Sequence, residues 1–367
     1  MVEDVKMKPK ARVIAFYLPQ FHPIPENDEW WGKGFTEWTN VGMAKPLFKG
    51  HYQPRVPTDL GYYDLRLTEV RDAQAQMARK AGVEGFAYWH YWWAGKRLIE
   101  RPFNEVLKTG KPDFPFCLSW ANETWSGVWI GSPGKILMEQ TYPGKEDYKK
   151  HFYAILGALH DPRYIKVDGK PLFVIYKPLQ IPDARNFIDL WNDLAVKNGL
   201  DGIHLVGIAT VPRKQTSEIL ALGFDAVNTV GTYEAEDVID GNLKHKIKNN
   251  LMERIGGIIL NKYRYEDIVK NIFSQSDSLD NVYPTILPQW DNSPRSGRRS
   301  IIYINSTPSK FKKHVQQAIE IINDKPYEHK ILFLKSWNEW AEGNYVEPDT
   351  VFGHGYLNAL EETLFEH

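Results

Sequence analysis

A chain of 367 residues, 43% hydrophobic and 25% charged, can bury a large core, which excludes intrinsic disorder as its main state. Its formal net charge of -1 provides no field to collect a polyanion, so composition gives no support to a nucleic-acid partner. This length permits one large domain or two ordinary ones.

At the start of the chain, residues 1–10 are charged and are expected to be flexible. They lack the apolar stretch of about 7–15 residues that marks a signal peptide, and no later run is long enough to span a membrane. The sequence therefore predicts a cytoplasmic protein without membrane insertion, or a periplasmic or secreted one if a leader has been removed.

Short apolar runs alternate with helical patterns along the rest of the chain. The predicted strands are Arg12–Tyr17, Val83–Trp89, Phe114–Trp120, Pro171–Tyr176, Gly202–Ile208, Ala226–Val230, Thr285–Gln289 and Ile331–Lys335. The predicted helices are Arg66–Ala81, Phe103–Thr109, Lys145–Leu159, Ala184–Asn198, Lys214–Leu222, Arg264–Phe273, Lys310–Asn323 and Gly355–Leu364. This alternation favours a parallel sheet, and the count of eight favours a closed (β/α)8 TIM barrel of the α/β class over an open doubly wound sheet. No linker or repeat divides the chain, so residues 1–367 are predicted to form a single catalytic domain.

Long loops follow three of the predicted strands, on the face where barrel enzymes build their sites. The loop after strand one runs from Pro19 to about Asp64 and is rich in Trp, Gly and Pro. The loop after strand six contains Lys244–Lys248, which is expected to be a solvated helical face. The loop after strand seven provides either a clamp for an anionic group or a mobile basic segment, through Arg295, Arg298 and Arg299.

Aromatic residues make up 13% of the chain and include 13 Trp, many of them near the ends of predicted strands. The apolar face of a sugar packs on a flat aromatic ring, although large cores also use Trp. Alternate residues of the run Tyr88–Trp93 must face the helices and not the barrel interior. An alternative is that His22 and His90 are core histidines and that Glu37 and Glu123 are surface carboxylates. The candidate substrate-binding residues are Tyr17, Gln20, His22, Glu37, Trp38, Trp89, His90, Trp92, Trp120, Asn122, Glu123, Tyr176, Trp290, Asp291 and Asn338.

The segment Ser336–Pro348 follows an apolar run and brings Glu339 and Glu342 to the mouth of the last predicted strand. Cleaving a glycosidic bond needs one group that gives a proton and another that takes one. We therefore predict that Glu339 and Glu342 are catalytic. Phosphate-loop, dinucleotide-binding, His-Glu-x-x-His, Cys-x-x-Cys and Asp-x-Asp patterns are absent from the sequence, so no cofactor and no metal are expected. The single cysteine, Cys117, lies in an apolar strand and is expected to be an inert core thiol.

Five motifs occur in order between about Arg12 and Leu364, namely Tyr17–Pro23, Gly34–Trp38, Trp120–Glu123, Trp290–Asn292 and Ser336–Gly343. Together they resemble the WbsX-type proteins of bacterial polysaccharide gene clusters, which are related to glycoside hydrolase family 99, the endo-α-mannosidases. The resemblance implies a (β/α)8 barrel and a retaining α-glycosidase whose substrate is an oligosaccharide or polysaccharide.

The resemblance also implies a reaction without a protein nucleophile. By match, Glu339 would deprotonate the sugar's own 2-hydroxyl, which then attacks the anomeric carbon and forms a 1,2-anhydro sugar. Glu342 would protonate the leaving oxygen and then serve as base for water, which requires a raised pKa at Glu342 and an ionised Glu339. This route needs a free 2-hydroxyl trans to the leaving group, as in α-manno and α-rhamno sugars.

Alternatives to this mechanism and function stay open. Asn122-Glu123 resembles the Asn-Glu pair of other retaining barrel glycosidases, in which Glu123 would be the acid and Glu339 a nucleophile about 5–5.5 Å away. That pattern expects strand four, whereas Glu123 follows predicted strand three. The chain is alternatively a transglycosylase, a glycosyltransferase of O-antigen, lipopolysaccharide or capsular polysaccharide biosynthesis, or a non-catalytic carbohydrate-binding barrel.

Overall fold

Eight parallel strands close into a barrel in the computed structural model, which describes residues 8–126, 136–241 and 261–365. The strands are β1 (Arg12–Tyr17), β2 (Val83–His90), β3 (Phe116–Trp120), β4 (Lys170–Ile175), β5 (His204–Ala209), β6 (Ala226–Thr229), β7 (Val282–Ile286) and β8 (Ile331–Leu334). Each strand pairs with the next in sequence, and β8 pairs with β1 to complete the circle. The predicted (β/α)8 fold is therefore confirmed. The predictions for residues 1–7 and for Lys244–Lys248 lie outside the described residues.

The strands are continuous apolar runs because both faces of the barrel sheet are buried. All six residues of β1 are buried, and its alternate side chains point to opposite sides. Phe16 points inwards and stacks on Trp89 of β2, with ring centroids 4.9 Å apart. Tyr17 points outwards and donates its hydroxyl to Gln74 at 2.7 Å, on the helix Thr68–Lys80. This alternation decides which strand residues reach the barrel interior.

A layer of helices connects the strands and packs around the barrel. Its members are Thr68–Lys80, Arg101–Thr109, Lys145–Leu159, Ala184–Lys197, Pro212–Ala221, Tyr265–Asn271, Pro308–Ile322 and Gly355–Phe365. Each lies within two residues of a predicted helix at both ends, and seven strands agree with their predictions equally well. Within the described ranges, no helix is long and apolar enough to cross a membrane.

The predicted position of the seventh strand is wrong by three residues. The predicted range was Thr285–Gln289, whereas β7 spans Val282–Ile286 and includes Pro284, which pairs with Thr229 of β6. The strand ends where Leu287 donates its backbone N–H to the His314 side chain instead of to a neighbouring strand. Contact with the helix Pro308–Ile322, which carries His314, therefore ends the strand earlier than the local apolar pattern predicts.

Loops on both faces of the barrel contain short elements that the sequence did not predict. The helices are Pro25–Trp31 and Glu37–Met43 after β1, Thr232–Asp240 after β6, and Ser293–Ser296 after β7. The short strand pairs are Trp125–Ser126 with Ile136–Met138, Asn261–Arg264 with Ile301–Ile304, and Asn338–Glu339 with Asn344–Tyr345, while Lys166–Val167 pairs with the start of β4. Single 3-10 turns lie at Pro178–Gln180, Gln275–Ser278, Gly297–Arg299, Tyr327–His329 and Trp340–Glu342.

Candidate active site

A cleft of about 520 Å³ opens at the carboxyl ends of the barrel strands. Its lining comes from the ends of all eight strands and the loops that follow them, and it mixes carboxylates with aromatic rings. Residues that line it include Gln20, Glu37, Trp89, Tyr91, Glu123, Trp125, Tyr176, Thr210, Tyr233, Glu236, Trp290, Arg295, Lys335, Glu339 and Glu342. A concave site of this size with convergent polar groups is the expected form of a small-ligand site.

A tight hairpin after β8 carries Glu339 and Glu342. The strand Asn338–Glu339 pairs antiparallel with Asn344–Tyr345, and the 3-10 turn Trp340–Glu342 joins the two. Glu339 is buried, and the Glu342 side chain is 19% exposed. The hairpin therefore keeps two carboxyl groups three residues apart at the mouth of the barrel.

The loop after β7 fixes the end of this hairpin at Asp291. The Asp291 N–H donates to the Glu342 carbonyl at 2.7 Å. Gly343 has φ of +55°, and a Cβ added there would lie 2.8 Å from the Asp291 backbone oxygen, so only glycine fits. Burial favours the neutral form of Asp291, but His51 at 2.8 Å and Arg55 at 3.6 Å hold its pKa well below the usual value. Asp291 is therefore an ionised anchor beneath the hairpin.

Glu347 supports the hairpin from the core. Its carboxyl accepts four hydrogen bonds, from the indoles of Trp337 at 2.9 Å and Trp340 at 2.7 Å, from Gln74 at 2.6 Å and from Tyr63 at 2.8 Å. Burial nevertheless raises the pKa of Glu347 to about 7. Every acceptor position of this buried group is used, as buried polar groups require.

One guanidinium joins three carboxylates in the cleft. Arg295 Nη1 lies 2.6 Å from Glu342, Nη2 lies 3.3 Å from Glu339, and Nη2 lies 3.0 Å from Glu37. None of the four side chains is more than 19% exposed. Lys335 adds a more distant cation, 4.0 Å from Glu342. The candidate catalytic pair is therefore held through charge-assisted hydrogen bonds to Arg295.

The electrostatics of the pair favour a proton on Glu339. Burial and the neighbouring Glu342 carboxylate raise the pKa of Glu339 to about 7, against a lowering effect of Arg295. Arg295 makes its shorter contact with Glu342. The raised pKa of Glu339 differs from the ionised state that the family resemblance implied for this residue, and the acid role of Glu342 stays a prediction.

Glu123 lines the cleft and forms an ion pair with Lys177. Lys177 Nζ lies 3.3 Å from the Glu123 carboxylate, and the Asn122 side chain positions Lys177 by accepting from its N–H and donating to its carbonyl. Asn122 is buried and does not line the cleft. The structure therefore gives Asn122 a positioning contact and Glu123 a cleft-lining one.

The structure brings about half of the sequence-predicted site residues together. Those that line the cleft are Gln20, Glu37, Trp89, Glu123, Tyr176, Trp290, Glu339 and Glu342. Glu37 is not a surface carboxylate, because it is buried at the start of the helix Glu37–Met43, which Thr36 caps. Trp89 and Tyr176 pack edge to face, with centroids 5.8 Å apart, and form one aromatic wall.

Several other predicted residues face the helices and not the cleft. His90 Nε2 lies 2.8 Å from His151 Nε2, and Trp92 stacks on the same His151 ring while donating to Asp147. Trp120 packs edge to face on His151, 4.8 Å away. Tyr17 faces outwards in the same way. Strand alternation explains this, because neighbours of an inward residue such as Trp89 must point outwards.

Three more predicted residues brace the loops behind the cleft. His22 is buried, and burial lowers its pKa to about 4. Trp38 donates its indole N–H to the Tyr63 carbonyl at 2.8 Å. Asn338 accepts from the Leu18 N–H at 2.7 Å and donates to the Leu18 carbonyl at 3.0 Å, which ties the hairpin to the loop after β1. None of the three lines the cleft.

The predicted set of site residues omitted several members of the cleft. Arg295 appeared only as an anion clamp or part of a mobile basic loop, and Lys335, Tyr91, Tyr233 and Glu236 were not selected. A count of charges at the predicted site could have identified Arg295, because the carboxylates of Glu37, Glu339 and Glu342 need a cation when they are removed from water. Across residues 8–126, 136–241 and 261–365, no cluster of three His, Cys, Asp or Glu side chains is arranged to hold a metal.

Comparisons with known proteins identify the family of this chain. The pattern of the family described as Glycosyltransferase WbsX matches residues 13–360. Proteins described as uncharacterized protein WxcX, from two strains of Xanthomonas campestris pv. campestris, are 34% identical over 361 residues. That match covers 96% of this chain and 50% of each relative, so the chain spans about half the length of these relatives.

Solved structures share the fold at low sequence identity. A glycoside hydrolase-like protein superposes with a TM-score of 0.61 at 16% identity, covering 96% of this chain and 94% of the other. The GH99 endo-alpha-mannosidase from Bacteroides thetaiotaomicron superposes with a TM-score of 0.56 at 16% identity, covering 96% and 95%. At this identity the likeness shows the common barrel fold alone.

Proposed function

This chain belongs to the glycosyltransferase WbsX family, and from that premise we propose that it is a retaining enzyme acting on glycosidic bonds of a bacterial polysaccharide. Glu339 and Glu342 are the proposed acid–base pair, and sugars of α-manno or α-rhamno configuration are the proposed substrates. Neighbouring aromatic side chains of the cleft, including Trp89, Tyr176 and Trp290, provide faces on which a sugar ring can pack.

The observation that carries this proposal is a pair of cleft carboxyls, Glu339 and Glu342, that share the Arg295 guanidinium. Glycosidic chemistry needs one carboxyl that is protonated and one that is ionised. A pKa of about 7 at Glu339, raised by burial and by the neighbouring Glu342, supports a proton on one member of the pair near neutral pH. The cleft also places both groups among aromatic rings, where a sugar would lie.

In this proposal Glu339 and Glu342 share one proton, and burial together with the Glu342 carboxylate favours its position on Glu339. In the scheme that the family resemblance implies, Glu342 protonates the leaving oxygen while Glu339 takes the proton of the 2-hydroxyl. A sugar that enters between them would have to draw Arg295 towards Glu37 for that scheme to operate. The bond from the anomeric carbon to the leaving oxygen breaks, and the sugar's O2 forms the new bond until water or another hydroxyl opens the 1,2-anhydro ring.

The first test is product analysis with α-manno- and α-rhamno-configured oligosaccharides. We expect the parent protein to cleave at least one, and Glu342→Gln and Glu339→Gln each to lose about 10²–10⁴-fold in rate. Glu320→Gln is the matched control, because Glu320 is exposed on the helix Pro308–Ile322. Full activity in Glu342→Gln would refute its role.

Substrates with different leaving groups then assign the acid. A leaving group that departs without a proton removes the need for the acid but not for the base. We therefore expect one of the two Gln variants to recover rate on an activated aryl glycoside while the other stays inactive. Recovery by Glu339→Gln would support the proton position that the electrostatics favour, and recovery by Glu342→Gln would support the scheme implied by the family.

Transfer to an acceptor hydroxyl is the second candidate, and the family description favours it. The same acid–base pair serves both reactions, because the second step accepts either water or a sugar hydroxyl. Adding an excess of acceptor glycan to the cleavage assay separates them. Elongated products would support transfer, and unchanged hydrolysis would oppose it.

A further inference from the structure

Glu236 is a buried carboxyl that lines the cleft away from the Arg295 cluster. It lies on the helix Thr232–Asp240 after β6, and its residue is 9% exposed. Tyr303 donates its hydroxyl to Oε1 of Glu236, and the Tyr303 ring packs 6.4 Å from Trp290. Glu236, Tyr303 and Trp290 all line the same cleft as the catalytic pair.

Among the described residues, Glu236 differs from the other cleft carboxylates in that no ion pair joins it to a cation. Glu37, Glu339 and Glu342 share Arg295, and Glu123 pairs with Lys177. Within the described parts of the chain, Glu236 forms no ion pair, and its second oxygen accepts no hydrogen bond. Because Glu236 lines the cleft, a ligand donor can reach the oxygen that accepts no hydrogen bond from the described residues.

Contacts through Trp290 connect this carboxyl to the Arg295 cluster. Lys335 Nζ lies 4.0 Å from Glu342 and 5.0 Å from the centroid of the Trp290 ring. On its other side Trp290 packs near Tyr303, which donates to Glu236. Tyr233 also lines the cleft, and it is 52% exposed. Aromatic rings therefore lie between the two groups of polar side chains.

We propose that Glu236, with Tyr233 and Trp290, forms a second sugar-binding position for the unit next to the reacting sugar. The ligand group is a neutral hydrogen-bond donor, either a hydroxyl or an acylamino N–H, which donates to the free oxygen of Glu236. The apolar face of that sugar packs on the neighbouring rings. This inference rests on the proposed function, because the reacting sugar is placed at Glu339 and Glu342.

Binding measurements on a catalytically impaired background test the position separately from turnover. Calorimetric titrations of Glu342→Gln protein would use the mono-, di- and trisaccharide of one α-mannose series. Adding Glu236→Leu, with Tyr303→Phe to avoid an unpaired hydroxyl, is expected to weaken the longer ligands about ten-fold, which is the scale of one lost hydrogen bond. The monosaccharide should keep its affinity. Adding Glu236→Gln with the same Tyr303→Phe change, which leaves the amide oxygen free to accept from the ligand, should have less than about a three-fold effect.

A matched control lies on the same helix. Glu234 pairs with Arg213 and does not line the cleft, so Glu234→Gln should leave all affinities unchanged. Equal affinity of the Leu/Phe variant for every length would overturn the second position. Equal losses in the Gln and Leu variants would show that an acceptor oxygen at this position does not hold the sugar, and would overturn the proposed hydrogen bond. If the parent binds these glycans but never cleaves or transfers them, the proposed function fails while this test still reports on Glu236.

Discussion

Replacing Arg295 by glutamine should destabilise the protein in a pH-dependent way. The substitution leaves Glu37, Glu339 and Glu342 together with Lys335 as the nearest remaining cation, 4.0 Å from Glu342. Two unit charges about 4 Å apart interact by about 4 kcal/mol at an effective dielectric of about 20. Much of that gain offsets the desolvation of the buried charges, so the expected loss is the cost of breaking a buried pair, about 3–5 kcal/mol near pH 8.

The sign of the pH dependence follows from proton linkage. Without the guanidinium, which lowers it, the folded-state pKa of Glu339 rises further above the unfolded value, so the folded variant binds a proton that the unfolded chain does not. Each unit of pKa increase changes stability by about 1.4 kcal/mol. The stability deficit is therefore full at high pH and shrinks as pH falls through the raised pKa values towards pH 5.

Urea unfolding at pH 5, 7 and 8.5 measures this deficit directly. Arg298→Gln is the control, because Arg298 is exposed in the same loop. The double variant Arg295→Gln/Glu37→Gln should recover part of the loss, since it removes one of the uncompensated charges. A deficit that stays constant from pH 8.5 to pH 5, or that is largest at pH 5, would refute the charge argument.

Three further predictions concern the hairpin and the core. Glu347→Gln replaces one acceptor oxygen by an amide NH2, which cannot accept from two of the four donors. It should therefore cost about 1–3 kcal/mol for each donor left unpaired in urea unfolding, and lower activity by displacing the turn that carries Glu342; an unchanged midpoint would contradict this. Gly343→Ala should cost about 1–3 kcal/mol or more, because the left-handed backbone and the contact with Asp291 both oppose a Cβ. Gly353→Ala is the control, because Gly353 has a similar φ of +50° but no atom within 4 Å of an added Cβ, so its loss of stability should be smaller. Cys117 is fully buried and burial raises its thiol pKa, so a thiol reagent should label it only on unfolding, and rapid labelling of the native protein would show that its strand opens.

The sequence by itself determined the architecture and the position of the candidate catalytic pair. An apolar run such as Arg12–Tyr17 predicts a strand without knowledge of the rest of the fold, because a strand buried on both faces must be largely apolar. Glu339 and Glu342 were also visible locally, because they follow the last strand directly and strand ends meet on one face of a barrel. The family resemblance pointed to the same pair.

Only the tertiary structure decided which neighbouring side chains share the site. In the run Tyr88–Trp93, Trp89 faces the cleft, while His90 faces the helices and pairs with His151. Which residues of a strand face inwards depends on how the strand sits in the barrel, and composition does not reveal this. Arg295 lies more than 40 residues from Glu339 along the chain, and its partnership depends on the packing of two loops. The raised pKa of Glu339 is likewise a property of burial and of four charged neighbours brought together by the fold, and no local pattern encodes it.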